Sequence, residues 1–118
     1  MSIERFEELE AWQVAHKIVL DVYKATLHLP TEEKFGLISQ MRRAAVSVPG
    51  NIADGFKRRG VADKKHFYNI AQSSLEELRY YLLLCRDLGF QMEPDHLPER
   101  INQTGRMLTG LIRSIRSG

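Results

Sequence analysis

Apolar residues recur at steps of three and four along most of the chain, which is the period of an α-helix and not of a strand. Leu9, Trp12, His16, Val19 and Tyr23 form one such series, and Ala11, Ala15, Ile18, Val22 and Ala25 form a second beside it. Together they predict a first helix with a wide apolar face. Leu29, Pro30 and Thr31 end it, and Thr31 followed by Glu32, Glu33 and Lys34 reads as an N-cap with an acidic first turn. The next series, Leu37 or Ile38, Met41, Ala45, Val48, Ile52 and Phe56, crosses Pro49 and Gly50 without losing phase. A proline inside a helix costs about 3 kcal/mol and leaves the carbonyl four residues back without its donor, so a break is the simple expectation. The unbroken phase favours instead one helix over residues 33 to 58, kinked near Pro49.

Gly60 follows the run Lys57, Arg58, Arg59, and a third helix is expected to open near Asp63 as its N-cap. Phe67, Ala71, Ser74, Leu78, Tyr81, Cys85 and Leu88 then keep a three-four repeat up to Gly89. Phe90 to Pro98 is a turn region, and Ile101, Thr104, Leu108, Leu111 and Ile115 mark a final helix. The expected fold is an all-α, antiparallel up-and-down four-helix bundle with a proline-kinked second helix, one domain over residues 1–118.

The third helix has apolar residues to spare. Residues 80 to 85 read Tyr, Tyr, Leu, Leu, Leu, Cys, and at about 100° per residue six consecutive positions point all around the axis. A helix of that kind needs cover on its outer side as well, most simply from a second subunit. Tyr80 falls off the core phase and is the expected interface anchor, with Leu83 and Leu84 beside it.

Composition adds limits more than positive clues. Hydrophobic residues make up 43% and charged residues 27%, as in an ordinary globular protein. Charge-free stretches reach only about ten residues, half a bilayer span, so no membrane helix is expected. The acidic start MSIERFEELE does not resemble a secretory signal, which makes the cytoplasm the expected location. The single cysteine, Cys85, excludes an intrachain disulfide and a cysteine zinc site. A net charge of +2 is too small to imply a polyanion partner, but its distribution is uneven. Residues 1–56 carry six basic and eight acidic groups, and residues 57–118 carry eleven and seven.

Trp12, Gln13 and Ala15, the segment LISQMRRAAVSVPGNIADGFKRRG and the segment FYNIAQSSLEELRYYLLLCRDLG resemble the small four-helix-bundle family named for intervening sequences of bacterial large-subunit ribosomal RNA genes. The similarity runs from about Phe6 to Ile115 and is most specific at Arg42, Arg43, Ala44, Ala45, Pro49, Asn51, Ile52, Ala53 and Gly55. Gly50 and Asp54 depart from the Ser or Ala and the Glu more usual there. The resemblance implies a ring-shaped homopentamer without enzymatic activity. A similar protein accompanies diversity-generating retroelements, as a basic partner of the reverse transcriptase and of nucleic acid.

Catalytic chemistry finds little foothold. A di-metal carboxylate site in a bundle needs two Glu-x-x-His pairs, and only Glu93 and His96 have that spacing, so no metal or other cofactor is expected. His16, on the apolar stripe of the first helix, is expected to be a hydrogen-bonded core histidine, and Cys85 a buried structural thiol. The basic residues are more informative. Lys57, Arg58 and Arg59 complement a helix C-terminus, whereas Lys64, Lys65 and His66 lie in a first turn, where cations oppose the dipole and stability alone would not choose them. Residues 57 to 66 are therefore the candidate anion or nucleic-acid site, and Arg100, Arg106, Arg113 and Arg116 make a second basic area. Arg42 and Arg43 are expected to pair with the Glu4, Glu7, Glu8 and Glu10 cluster of a neighbouring subunit. Trp12, Pro49 and Asn51 join them as interface residues, Asn51 and Asp54 alternatively answering local backbone groups. The expected function is thus a non-enzymatic oligomeric adaptor that binds RNA or DNA through repeated basic turns. The alternative is a scaffold for another protein.

Overall fold

The computed structural model describes residues 2–90, 92 and 96–115. Four helices make up the fold: α1 (Glu10–Thr26), α2 (Leu37–Lys57), α3 (Val61–Asp87) and α4 (Leu97–Ser114). Short 3-10 turns, Phe6–Glu8 and Thr31–Glu33, precede α1 and α2. Each helix packs on its neighbours in sequence and α4 closes onto α1, and among the described residues the backbones of diagonal helices come nowhere within 8 Å, Cα to Cα. The result is a four-helix bundle measuring 49 × 24 × 19 Å.

The core is filled along the stripe of α1 that carries the alanines. Ala11, Ala15, Ile18, Val22 and Ala25 are buried, whereas Trp12 and Val19 lie at its margin and His16 and Tyr23 are exposed. Small side chains on that stripe let neighbouring helices come close. The expectation of a core His16 is thereby corrected: its imidazole stacks on the Trp12 ring at 5.1 Å, on the outside of the bundle.

α2 begins later than its pattern implied. Thr31 to Glu33 form a separate 3-10 turn, and Gly36 is the N-cap, with the Glu33 carboxylate accepting a hydrogen bond from the Leu37 amide at 3.3 Å. From there α2 runs unbroken through Pro49, which is buried, as the preserved phase requires. Leu37, Met41, Ala45, Val48 and Ile52 fill the core.

α3 starts at Val61 with Gly60 as its N-cap, three residues before the expected cap Asp63. Its buried residues are Tyr68, Ala71, Leu75, Leu78 and Cys85, so Tyr68 and Leu75 take the places expected of Phe67 and Ser74. Both series keep the same heptad period through Ala71, Leu78 and Cys85, and differ only in which flanking stripe turns inward, the one with Tyr68 and Leu75 or the one with Phe67 and Ser74. Ser74 instead donates a 2.8 Å hydrogen bond to the Ser47 hydroxyl, which also accepts from Asn51 Nδ2 at 2.9 Å. In α4, Leu97, Ile101, Thr104 and Leu108 are buried.

Contacts between side chains fix how the helices lie. Tyr68, early in α3, meets Gly55, late in α2, and Cys85, late in α3, lies 3.8 Å from the sulfur of Met41, early in α2. Gln72 donates to the Thr109 hydroxyl across α3 and α4 at 2.9 Å. Arg100 and Asp21 form a half-buried ion pair between α4 and α1.

Candidate functional site

The basic turn between α2 and α3 has more internal structure than a string of solvated cations. Its shape begins with Gly55, where α3 comes so close that only hydrogen fits, and with Arg58, whose extended backbone ends α2. Lys64 then reaches back from the first turn of α3. Its ammonium donates to the carbonyls of Gly55 and Phe56 at 2.8 and 2.9 Å, so it caps the negative end of α2. Partial burial pulls its pKa below the usual lysine value. The reading that stability would not choose a cation at this position is corrected for Lys64, because its charge serves the preceding helix and not its own. Arg58 lies over the Phe67 ring at 4.3 Å, with its guanidinium open to solvent. Lys57, Arg59 and His66 are exposed and Lys65 is partly so. The structure thus brings the six predicted residues into one turn and leaves five of them facing outward or half outward.

The predicted interface residues separate into two groups. Arg42 is committed within its own chain: Nε donates to the Thr26 hydroxyl at 2.9 Å, and the guanidinium lies 4.5 Å from the centre of the Tyr23 ring. Arg42 Nη2 also donates to the Tyr23 carbonyl at 3.4 Å, so the guanidinium caps the end of α1. Arg43 is exposed. Asn51 answers local backbone, donating to the Ser47 carbonyl at 2.8 Å, and Pro49 is buried. In the acidic cluster, Glu7 pairs with Arg5 and Glu8 accepts from the Glu4 amide at 2.9 Å, and Glu4, Glu8 and Glu10 are exposed. Trp12 packs between Phe6 and His16 at the margin of the core.

The second group lies on α3. Tyr80 is 56% exposed, Leu83 is exposed and Leu84 is half-buried. Tyr80, Leu82 and Leu83 line a groove of about 730 Å³ whose far wall is Pro98 and Ile101 of α4. This is the apolar surplus that the run from Tyr80 to Cys85 required.

Cys85 is buried as expected, and burial, followed by the charge of Glu33, pushes its thiol above its ordinary pKa. Among the described residues no three His, Cys, Asp or Glu side chains gather as metal ligands. Glu93 of the Glu-x-x-His pair and Arg116 of the second basic area lie outside the described residues. Arg106 and Arg113 share a polar groove with Arg79, while Arg100 is taken up by Asp21. No helix is long and apolar enough to cross a membrane among the described residues.

Two features escaped the sequence reading. Phe35 is 90% exposed, and its signal was a large apolar residue between Lys34 and Gly36, in a stretch with no helical partner for it. The fit of Gly55 against Tyr68 had no signal beyond the glycine itself.

A search of curated proteins gives no match to this chain. The family model described as the 23S rRNA-intervening sequence protein matches residues 7–110, nearly the whole bundle including the proline-bearing α2 and the basic turn. The chain belongs to the 23S rRNA-intervening sequence protein family.

Proposed function

We propose that this protein is a non-enzymatic homo-oligomer, a pentamer as the family resemblance implies, that acts in the bacterial cytoplasm as an adaptor binding RNA or DNA through its repeated basic turns. The observation that carries the reading is the apolar surface left open on α3, where Tyr80, Leu83 and Leu88 are all exposed beside the groove to α4. A second subunit covers such a surface at once. Assembly then sets several copies of Lys57, Arg58, Arg59 and Lys65 on one body, and weak phosphate contacts act together at high effective concentration.

The test has two parts. Sedimentation of the purified protein is expected to give a mass several times that of the single chain. Binding of mixed RNA and duplex DNA is expected at about 50 mM salt and to fall steeply as salt rises. The triple substitution Lys57→Glu, Arg59→Glu, Lys65→Glu should abolish retention without loss of helix content. Lys64 is left out of the set because its reversal would also uncap α2. A second reading, a scaffold for another protein, is favoured by the structural employment of Lys64 and the stacking of Arg58 on Phe67. Under that reading the triple variant keeps its partners, and nucleic acid is not retained even by the unaltered protein.

A further inference from the structure

The face shared by α1 and α2 holds a groove of about 510 Å³. Its apolar walls are Tyr23, Phe35, Ile38 and Val46, its charged residues are Lys34, Arg42 and Arg43, and no carboxylate lines it. Phe35 is 90% exposed, and Leu20 and Leu27 extend the apolar stripe of Tyr23 along α1. Arg42 is already turned inward to Thr26 and Tyr23. Lys34 and Arg43 are exposed, and among the described residues no carboxylate lies within 4.0 Å of either. A groove of this composition suits an acidic segment with an apolar side chain to insert.

The start of the chain offers such a segment. Residues 3 to 10 read Ile, Glu, Arg, Phe, Glu, Glu, Leu, Glu, with Ile3, Glu4, Glu8 and Glu10 exposed, while Leu9 is buried in its own core and Phe6 packs on Trp12. The segment is held in a fixed shape, since Glu8 accepts from the Glu4 amide at 2.9 Å and Gln13 Nε2 donates to the Glu7 carbonyl at 2.9 Å. Docking it therefore loses little conformational freedom. It cannot serve its own groove, because Glu10 and Tyr23 stand about 20 Å apart along α1.

We infer that the acidic N-terminal turn of one copy, residues 3–10, docks in the α1–α2 groove of another, its exposed carboxylates Glu4 and Glu10 meeting Lys34 and Arg43. Giver and receiver lie at opposite ends of α1, so each copy offers one site and accepts at the other, a head-to-tail contact that can propagate around a ring. The inference rests on the oligomeric reading above and specifies a surface for it.

The experiment is a charge swap followed by sedimentation, with helix content checked for each variant. The unaltered protein is expected to assemble, and Lys34→Glu with Arg43→Glu is expected to weaken assembly at least tenfold. Adding Glu4→Lys and Glu10→Lys to that variant is expected to restore it. If the first pair of substitutions leaves the assembly mass and its concentration dependence unchanged, this surface is wrong although the protein still assembles. If assembly is lost and the added lysines do not restore it, the acidic turn is not the occupant. If instead the mass is kept and only RNA retention falls, the groove serves a polyanion and the inference fails. An unaltered protein that stays a single chain at high concentration overturns both this inference and the oligomeric reading.

Discussion

Gly55 illustrates how much one missing methyl group can decide. A Cβ built there would lie 2.7 Å from Cε1 and 2.8 Å from Cδ1 of Tyr68, closer than packed carbon atoms allow, and a tight 3.3 Å from Cβ of Phe67. Tyr68 is itself buried, so its ring cannot swing away without opening the core. Gly55→Ala is expected to lower the unfolding free energy by about 1–3 kcal/mol, read from urea denaturation, despite the better helix propensity of alanine. The same close approach lets Lys64 reach the carbonyls of Gly55 and Phe56, so the backbone contact and the cap on α2 stand or fall together. Neither was legible from the residues alone. The sequence showed a glycine near a helix end and a lysine in an unfavourable first turn, but not that each explains the other across two helices.

At the scale of elements, most of the fold was legible because burial imposes its period directly. The continuity of α2 through Pro49 followed from phase: Met41, Ala45, Val48 and Ile52 keep one face and all four are buried. The errors have a common physical origin. Where a helix carries two neighbouring apolar stripes, spacing does not say which one faces in, and size decides. In α1 the alanine stripe is enclosed and the aromatic stripe is left at the surface. In α3 the stripe with Phe67 and Ser74 was expected inward, where the helix buries the neighbouring stripe with Tyr68 and Leu75. The start of α2 was misplaced because Thr31 resembles a cap, yet Glu33 supplies the carboxylate that the Leu37 amide uses. Gly50 gives a test within one element. It lies exposed inside α2, and a Cβ there would meet nothing within 4 Å. Gly50→Ala is therefore expected to raise stability by about 0.5–1 kcal/mol in thermal or denaturant unfolding.

For the whole molecule, opposite sides of the bundle tell different stories. The α3–α4 side carries the apolar groove anticipated from the run of residues 80 to 85, and its existence was legible because six successive apolar positions cannot all be hidden. The α1–α2 side was legible only in part. Arg43 was singled out as a charge awaiting a partner, but the apolar walls beside it come from residues far apart in sequence, and only folding unites Tyr23 with Phe35 and Val46. The basic turn was found from charge alone, while its division into structural and free cations needed coordinates. The ion pair of Arg100 with Asp21 belongs to this scale too, since it ties α4 back to α1. Asp21→Asn is expected to cost about 1 kcal/mol of unfolding free energy, the modest value of a partly hydrated pair.

That tie has a consequence for how the molecule is made. Ile18 and Val22 are fully enclosed only in a bundle to which α4 contributes Leu97, Ile101 and Leu108, and the residues joined by the ion pair stand 79 positions apart. During synthesis the first three helices emerge from the ribosome with one flank still greasy and unsealed. Until α4 arrives, no other helix of the chain can seal that flank, so docking of the last helix is the step that completes the core.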